Sequence, residues 1–308
     1  MASIVPILQA PLGSVQDQLR RQLCVRHPYF ALEQVVVVEP GVVACSVPVE
    51  QELGRELPPI RAGEAGRHLA ILGSCALASL GERRGQHFYL AKAARIETCS
   101  LSSEPVTSLI GTARGHFVGK RSGLVTADLA TPEGVVTHVI TVEYDVMPAA
   151  TFYRLFAAQR TDLRLFPREP GVASPAFAHS GRNNPYREVS VFADERQEGP
   201  SMTASIPMIT ASLCNGHFAE TPLLPVAVVM GSLMEVAGRL LVSLSGDPTT
   251  RYFLHAAEIA AHQFAQIGKP LFLSARHVGF NGSTHDFECM ATTEDGLIGE
   301  MTLTLASL

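Results

Sequence analysis

The hydrophobic and polar positions along this chain repeat one order of elements twice. In the first half, valine-rich runs predict strands at 32–39 and 42–49, and an apolar run predicts a helix at 67–80. Four further strands are predicted after that helix, at 86–98, 106–118, 123–130 and 135–146. In the second half, the stretch 226–241 predicts a helix that begins apolar all round, which indicates that the fold encloses it.

Paired residues at a nearly constant spacing support this duplication. Pro28-Tyr29 returns as Pro185-Tyr186, an offset of 157 residues (185 − 28). Gly73-Ser74 returns as Gly231-Ser232 in the two apolar helices, an offset of 158 (231 − 73). Later pairs lie 162 or 163 residues apart: Ala113-Arg114 with Ala275-Arg276, Thr131 with Thr293, and Tyr89 with Tyr252. One duplication of a single unit explains so small a drift.

The duplication divides the chain into two units. We expect an N-terminal unit at 1–150, a linker rich in Pro, Gly and Ser at 151–184, and a C-terminal unit at 185–308. An antiparallel sheet rolled around one long apolar helix satisfies the order of elements in each unit, so the predicted fold class is α+β.

Composition and charge exclude several classes of protein. The net charge is −5 and there is no block of Lys or Arg, which argues against a nucleic-acid partner. The longest apolar run contains Glu235 and Arg239 and is too interrupted for a membrane span. The N-terminus lacks the basic start and apolar core of a signal peptide, and the six cysteines include no Cys-x-x-Cys pair. We therefore expect a cytoplasmic protein without a metal site.

The loop before the second apolar helix carries the most informative motif. Two prolines three residues apart discourage helix formation ahead of them, and a histidine stands just outside the helix that follows. The loop resembles the His-Phe-Pro-x-x-Pro-x-x-Pro-Gly signature of the hotdog-fold β-hydroxyacyl-thioester dehydratases. The matching residues are His217, Phe218, Pro222 and Pro225, whereas Ala219 and Val226 stand where that family has Pro and Gly.

The resemblance implies both a fold and a function. The fold is a double hotdog, with two antiparallel sheets each wrapped round a central apolar helix, forming a pseudo-dimer within one chain. The function is that of a hydro-lyase acting on acyl thioesters of acyl carrier protein or coenzyme A, in fatty-acid or polyketide-type biosynthesis. The phosphopantetheine arm carries the substrate, so no other cofactor is implied. A ketosynthase is a further expected partner, and the protein itself is expected as a monomeric pseudo-dimer or a homodimer.

In that family the motif histidine removes a proton from the substrate, and a carboxylate fourteen residues later acts as the acid. His217 takes the first role here, but position 231 (217 + 14) is Gly231, and its counterpart in the first repeat is Gly73. The first repeat has Pro58-Pro59 where the histidine would stand. We therefore expect one active site in the chain.

If the units pair as in the family, His217 faces the helix of the first unit. We expect Glu64 on that helix to serve as the acid, although a charge that complements the helix dipole is an equally good interpretation. Cys75 is a candidate nucleophile, and simple packing in an apolar helix is the alternative. The backbone N–H groups at the start of the second helix are expected to stabilise the enolate oxygen. The residues expected to bind substrate are Phe218, Pro225, Val226, Ala227, Gly73, Ser74 and Gly231.

Two other functions stay open on sequence grounds. A hotdog thioesterase or acyl transferase is one alternative, with Glu64 or Cys75 as the working group. A non-catalytic acyl-chain-binding partner of a condensing enzyme is the other. The missing carboxylate favours this last alternative, and the retained His-Phe pair argues against it.

Overall fold

The structure is a computed structural model that describes residues 19, 21–81, 85–102, 104–157, 184–188, 191–218 and 221–308. Within these ranges the helices are α1 (Ala62–Ser79), α2 (Ala149–Leu155) and α3 (Val226–Ser245), with a short 3₁₀ turn at Ser212–Cys214. The strands are β1 (Glu33–Glu39), β2 (Val42–Pro48), β3 (His87–Thr98), β4 (Ser108–Phe117), β5 (Ser122–Ala130), β6 (Val136–Pro148), β7 (Ala193–Glu198), β8 (Ser201–Ile206), β9 (Leu223–Leu224), β10 (Tyr252–Ala261), β11 (Ala265–Gln266), β12 (Leu271–Asn281), β13 (Thr284–Thr293) and β14 (Gly296–Ser307).

One antiparallel sheet holds twelve of the strands, in the order β1-β2-β4-β5-β6-β3-β10-β14-β13-β12-β8-β7. From each edge to the centre, the two halves of this sheet show the same arrangement of strands, as a duplicated chain should. The sheets expected for the two units are joined edge to edge into one continuous sheet, because β3 and β10 form hydrogen bonds with each other. The remaining short strands, β9 and β11, pair with each other. Most of the expected linker at 151–184 lies outside the described residues, so that boundary stays a prediction.

The junction of β3 and β10 lies on a local twofold axis. Arg95 pairs with Glu258 in the antiparallel ladder, and these positions are 163 residues apart (258 − 95), the offset found for Tyr89 and Tyr252. Residues that correspond in the duplication therefore face each other there. The Arg95 Nη1 and Glu258 Oε1 atoms lie 3.5 Å apart in an exposed ion pair, which contributes little stability. The main-chain ladder joins the halves.

The two long helices lie against the inner face of the sheet and against each other. Nearly all of α1 is buried, including the polar side chains of Glu64, Arg67 and His68. The more apolar α3 is the one described helix long and apolar enough to cross a membrane, and 56% of its 18-residue apolar window is buried in the protein. A helix enclosed in the core of a globular protein can have the same length and apolar character. Both helices are covered, as their apolar patterns predicted.

Helix α1 begins five residues earlier than the sequence predicted. The sequence predicts a glycine-rich loop at 61–66, yet Arg61 is the residue before the helix and 62–66 already form its start. The first N–H group of a helix has no acceptor within the helix, and here the Ala62 N–H donates to Glu56 Oε1 at 3.1 Å. This acceptor lies outside the helix, so the local sequence does not reveal the start.

The helices approach each other at two glycines. A Cβ atom on Gly63 would lie 2.8 Å from Gly231 Cα, too close for any side chain. Gly73, which the repeat pairs with Gly231, lies further along α1, where a Cβ atom would meet Tyr144 Oη at 2.6 Å. The repeat counterparts Gly73 and Gly231 thus have different neighbours. Gly231 permits helix packing, and Gly73 makes room for Tyr144.

Candidate active site

A cavity of about 210 Å³ lies between the two halves of the molecule. One wall comes from the first half: Ala70, Ile71 and Ser74 on α1, together with part of β3 and β6. The opposite wall comes from the second half and includes His217 and the start of α3. Side chains distant in the sequence meet here because the two halves pack through their helices.

The loop that carries His217 is held by the segment before β1. Arg26 N–H donates to Gly216 O at 2.7 Å, and a Cβ atom on Gly216 would lie 2.3 Å from Arg26 O. Gly216 also has φ of +81°, so both its conformation and its surroundings require glycine. On the other side, Leu224 pairs with Ala265 in the β9–β11 ladder. Together these contacts fix the loop between them.

His217 is a buried histidine whose tautomer follows from one hydrogen bond. Its Nδ1 lies 2.9 Å from Leu223 O, and a carbonyl oxygen can only accept, so Nδ1 carries the proton. The lone pair is then on Nε2, for which the described residues provide no partner. Burial lowers the pKa of His217 to about 4, against a smaller raising effect of the bond to Leu223. At neutral pH the ring is an uncharged base beside the cavity.

Two aromatic rings fix the plane of this imidazole. Phe218 stacks on it with ring centroids 3.8 Å apart, and Tyr29 meets it edge-on at 4.9 Å. Phe218 adopts a left-handed conformation (φ +55°) and packs against Phe88 and Phe152. Phe218 therefore lines the cavity and also anchors the loop in an aromatic cluster.

The N-terminus of α3 opens onto the same cavity. Pro225 precedes the helix, and Val226 and Ala227 border the cavity. Val228 N–H and Val229 N–H already donate to Pro225 O, whereas the N–H groups of Val226 and Ala227 come before the first helical hydrogen bond. These two donors, with the positive end of the helix dipole, suit an oxygen that develops negative charge. On the opposite wall, Ser74 borders the cavity while its hydroxyl donates to Ile71 O at 2.6 Å.

The expected acid, Glu64, is not at this cavity. Its carboxylate accepts hydrogen bonds from Glu50 N–H at 2.6 Å and Gln51 N–H at 3.2 Å, and burial raises its pKa. The side chain faces the connection after β2 and fixes that backbone. Glu50, Glu64 and His68 come within reach of a single metal ion, but Arg67 already forms an ion pair with Glu50 and its charge opposes a cation there.

Cys75 and the two helix glycines also lie elsewhere. Cys75 is fully buried within the core packing and does not border the cavity, so it has no access to substrate. Gly73 does not border it either. Gly231 borders a second, smaller cavity. The expectations for Cys75 as nucleophile and for Gly73 in substrate binding are therefore wrong, because both side-chain positions face packed side chains.

This second cavity extends the first between the helices. It measures about 50 Å³ and is lined by small and apolar residues apart from Lys92. Met230 and Met234 of α3 form part of its wall. Residues shared by the two cavities show that they adjoin: Ala70, Ala91, Lys92, Val226, Ala227 and Ala261.

Ion pairs fill the crevice near the start of α1, where the duplication would place a second site. Arg61 Nε lies 2.9 Å from Glu56 Oε2, and Arg61 also pairs with Glu235 of α3. Glu235 in turn accepts a hydrogen bond from Arg239 Nε at 2.9 Å. The buried charges of this crevice are thus paired with one another. The more open cavity is the one beside His217.

Several polar residues at the cavity were not predicted from the sequence. Tyr29 and Tyr144 line it from the first half, and Asp145, His262 and Gln263 lie at its wall. Tyr29 did stand out as one member of the repeated Pro-Tyr pair, which is the one signal that could have found it. The others carry no local pattern, because strands that meet only in the folded molecule place them there.

No protein-family model matches the chain. Among solved structures it is similar to an oleoyl thioesterase from Lactobacillus plantarum, with a TM-score of 0.55 and 12% identity over 88% of this chain and 99% of that one. It is also similar to the 12:0-ACP thioesterase from Umbellularia californica, at 0.54 and 7% over 87% and 95%. A protein from Alicyclobacillus acidocaldarius described as having a hotdog fold matches at 0.52 and 13%, over 92% and 99%.

These similarities correct one expectation and confirm another. The two named enzymes are thioesterases, which are hydrolases, and the Glu64 carboxylate expected as the acid of dehydration binds the Glu50 and Gln51 N–H groups and does not line the cavity. The expectation of a hydro-lyase is therefore wrong. The similarities extend over most of the chain despite low identity, and the chain has the hotdog fold.

Proposed function

We propose that this chain is an acyl-thioester hydrolase with one active site, located between two hotdog units of a double hotdog. One observation carries the proposal: an uncharged histidine with a lone pair on Nε2 borders a cavity that also receives a helix N-terminus and continues into an apolar space. A base, an oxyanion site and an acyl-chain site are the three parts that thioester hydrolysis needs.

In the proposed reaction, His217 Nε2 removes a proton from a water molecule as the water oxygen bonds to the thioester carbonyl carbon. The carbonyl electron pair moves onto oxygen, where the N–H groups of Val226 and Ala227 stabilise it. The carbon–sulfur bond then breaks, and the imidazolium returns its proton to the departing sulfur. The products are a free acid and a free thiol.

The leaving group explains why the missing carboxylate is compatible with hydrolysis. A thiol has a pKa of about 8.5, so a thiolate departs without help from a strong acid. Loss of a β-hydroxyl group requires expulsion of hydroxide, whose conjugate acid has a pKa of about 15.7, and that step needs a proton donor. Dehydration therefore depends much more than hydrolysis on a separate acid at the leaving oxygen, the role that Glu64 was expected to fill.

The apolar cavity between α1 and α3 supports an acyl chain as the bound group. A thioester placed beside His217 would direct its chain past Ala70 and Ala227 towards Met230. Because one similar enzyme is named 12:0-ACP thioesterase, acyl carrier protein is the first carrier we propose, and coenzyme A, which ends in the same phosphopantetheine arm, is the second. The thiol arm would leave through the polar end near Asp145 and Gln263.

The test is thiol release from acyl-CoA and acyl-ACP substrates of increasing chain length, followed with a thiol reagent. We expect release by the wild type, a loss of about 10²–10⁴-fold in His217→Asn, and no change in His255→Asn, since His255 is an exposed histidine on β10. Release that survives His217→Asn would refute the assignment. Tight binding of the thioester without release would instead indicate an acyl-chain-binding protein.

A further inference from the structure

We propose that Tyr29 is a catalytic residue of this site and that its hydroxyl donates a hydrogen bond to the thioester carbonyl oxygen during hydrolysis. The inference rests on the proposed hydrolase function and adds a third donor to the two N–H groups of α3. Tyr29 comes from the first half of the chain, so both halves would act on the reacting group.

Tyr29 is placed beside the base. It lines the cavity together with His217, and its ring meets the imidazole edge-on at 4.9 Å. Its backbone belongs to the segment that clamps Gly216, where a Cβ atom would lie 2.9 Å from Tyr29 N. The loop that orients His217 therefore also fixes the position of Tyr29.

The hydroxyl of Tyr29 differs from those of two neighbouring tyrosines. Tyr144 Oη donates to Ala70 O at 2.6 Å, and Tyr186 Oη donates to Asn215 O at 2.7 Å. Both hydroxyls are thus used to support main-chain carbonyls. For Tyr29 the described residues offer no acceptor, although the side chain is only 5% exposed. A buried hydroxyl without a protein partner is costly unless something else in the site accepts from it.

The cavity is the place where that acceptor can lie. Among the described residues, the side-chain atoms that are both sealed from solvent and without a partner belong to Arg67, His68, Thr131 and Thr221. The Tyr29 hydroxyl does not belong to this set, and Tyr29 borders the cavity. A substrate oxygen that enters the cavity can therefore meet this donor.

The surroundings of Tyr29 keep its hydroxyl protonated, as a hydrogen-bond donor must be. Burial raises the pKa of Tyr29 to about 12, while the nearby Arg67 guanidinium acts in the opposite direction. The phenol is thus protonated at neutral pH and has its hydrogen to offer. Arg67 lies over the Tyr186 ring at 5.2 Å, and its positive charge also favours negative charge that develops nearby.

No covalent bond to Tyr29 forms or breaks in this step. As the water oxygen adds and the carbonyl pair moves onto oxygen, the hydrogen bond from Tyr29 becomes charge-assisted and stronger. It weakens again when the carbon–sulfur bond breaks and the carbonyl re-forms. The hydrogen bond from Tyr29 therefore stabilises the transition state more than the bound substrate, so its loss should lower kcat.

The experiment compares Tyr29→Phe with Tyr252→Phe. The first keeps the ring that packs on His217, and the second removes an equally buried hydroxyl away from the cavity. For each variant we would measure kcat, KM and the affinities for two acyl-CoA analogues. A thioether analogue resembles bound substrate, and a trifluoromethyl ketone, once hydrated, resembles the tetrahedral adduct.

We expect Tyr29→Phe to lower kcat about 10²-fold and to weaken binding of the trifluoromethyl ketone by a similar factor. KM and the affinity for the thioether should stay within about threefold of the wild-type values. Tyr252→Phe should change none of these. Unchanged kcat in Tyr29→Phe, or equal weakening of both analogues, overturns the role of Tyr29 and leaves the hydrolase proposal intact. A wild type that releases no thiol and binds neither analogue overturns the hydrolase function itself, and Tyr29 with it.

Discussion

Acid should destabilise this protein through a buried histidine that takes no part in the site. His138 on β6 is 3% exposed, its Nδ1 lies 3.2 Å from Thr137 Oγ1, and burial lowers its pKa to about 4. In the unfolded chain a histidine has a pKa of about 6.5. As the pH falls below that value, the unfolded chain takes up the proton first, so the folded state loses stability until the pH reaches about 4.

The magnitude follows from the two pKa values. At about 1.4 kcal/mol for each pH unit, the interval between 6.5 and about 4 corresponds to about 3 kcal/mol, of which about 2 kcal/mol is lost between pH 7 and pH 5. That loss is a large fraction of the ~5–15 kcal/mol that holds a typical domain folded.

Urea unfolding at pH 7 and pH 5 measures this effect in His138→Gln and in the control His255→Gln. Glutamine does not titrate, so the difference between the two pH values should shrink by about 2 kcal/mol in His138→Gln relative to wild type. The control should keep the wild-type difference, because His255 is solvent-exposed in the folded protein. An unchanged difference in His138→Gln would show that His138 is protonated in the folded state at pH 5, contrary to its burial.

Two other predictions concern the helices. Gly63→Ala should lower the free energy of unfolding by about 1–3 kcal/mol, because its Cβ atom would clash with Gly231. Gly66→Ala is the control: the nearest atom to its Cβ is 3.9 Å away, so it should raise the free energy of unfolding by up to about 1 kcal/mol. Equal effects of the two variants in chemical unfolding would contradict the close approach of the helices. Met230→Ala should favour acyl chains about two carbons longer by roughly tenfold in kcat/KM, at ~0.8 kcal/mol for each buried CH₂. Leu233→Ala, a buried neighbour outside both cavities, should leave the chain-length preference unchanged, and a similar shift in that variant would refute the role of Met230.

The parts of the fold that depend on local pattern could be predicted from the sequence. Strand β2 was expected at 42–49 and runs over Val42–Pro48, because its valines and the Pro40-Gly41 turn just before it are local signals. The spacing of Tyr89 and Tyr252 correctly indicated the offset at which β3 and β10 meet on the twofold axis. Long-range pairing was accessible in this case only because the duplication encodes it twice.

The candidate site was predictable only where a single loop forms it. His217 and the helix that begins at Val226 are neighbours in sequence, so their geometry follows from the motif. Glu64 was chosen for its place on α1, but the Glu50 and Gln51 N–H groups, which come from a separate connection, determine where its carboxylate points. Tyr29 lies 188 residues before His217 (217 − 29); its repeated Pro-Tyr pair marks it in the sequence, but nothing there places it beside the imidazole.

The ion network of Glu56, Arg61 and Glu235 has a consequence for how a duplicated chain can change over time. In a dimer of identical subunits, every substitution occurs in both crevices at once, so neither can be altered without the other. In this chain each crevice has its own residues, and the two have become different. The one beside His217 keeps an open cavity, while the other joins Arg61 of the first half to Glu235 of the second. Having both units in one chain thus permits one crevice to hold the halves together and leaves the other free for the hydrolysis that we propose.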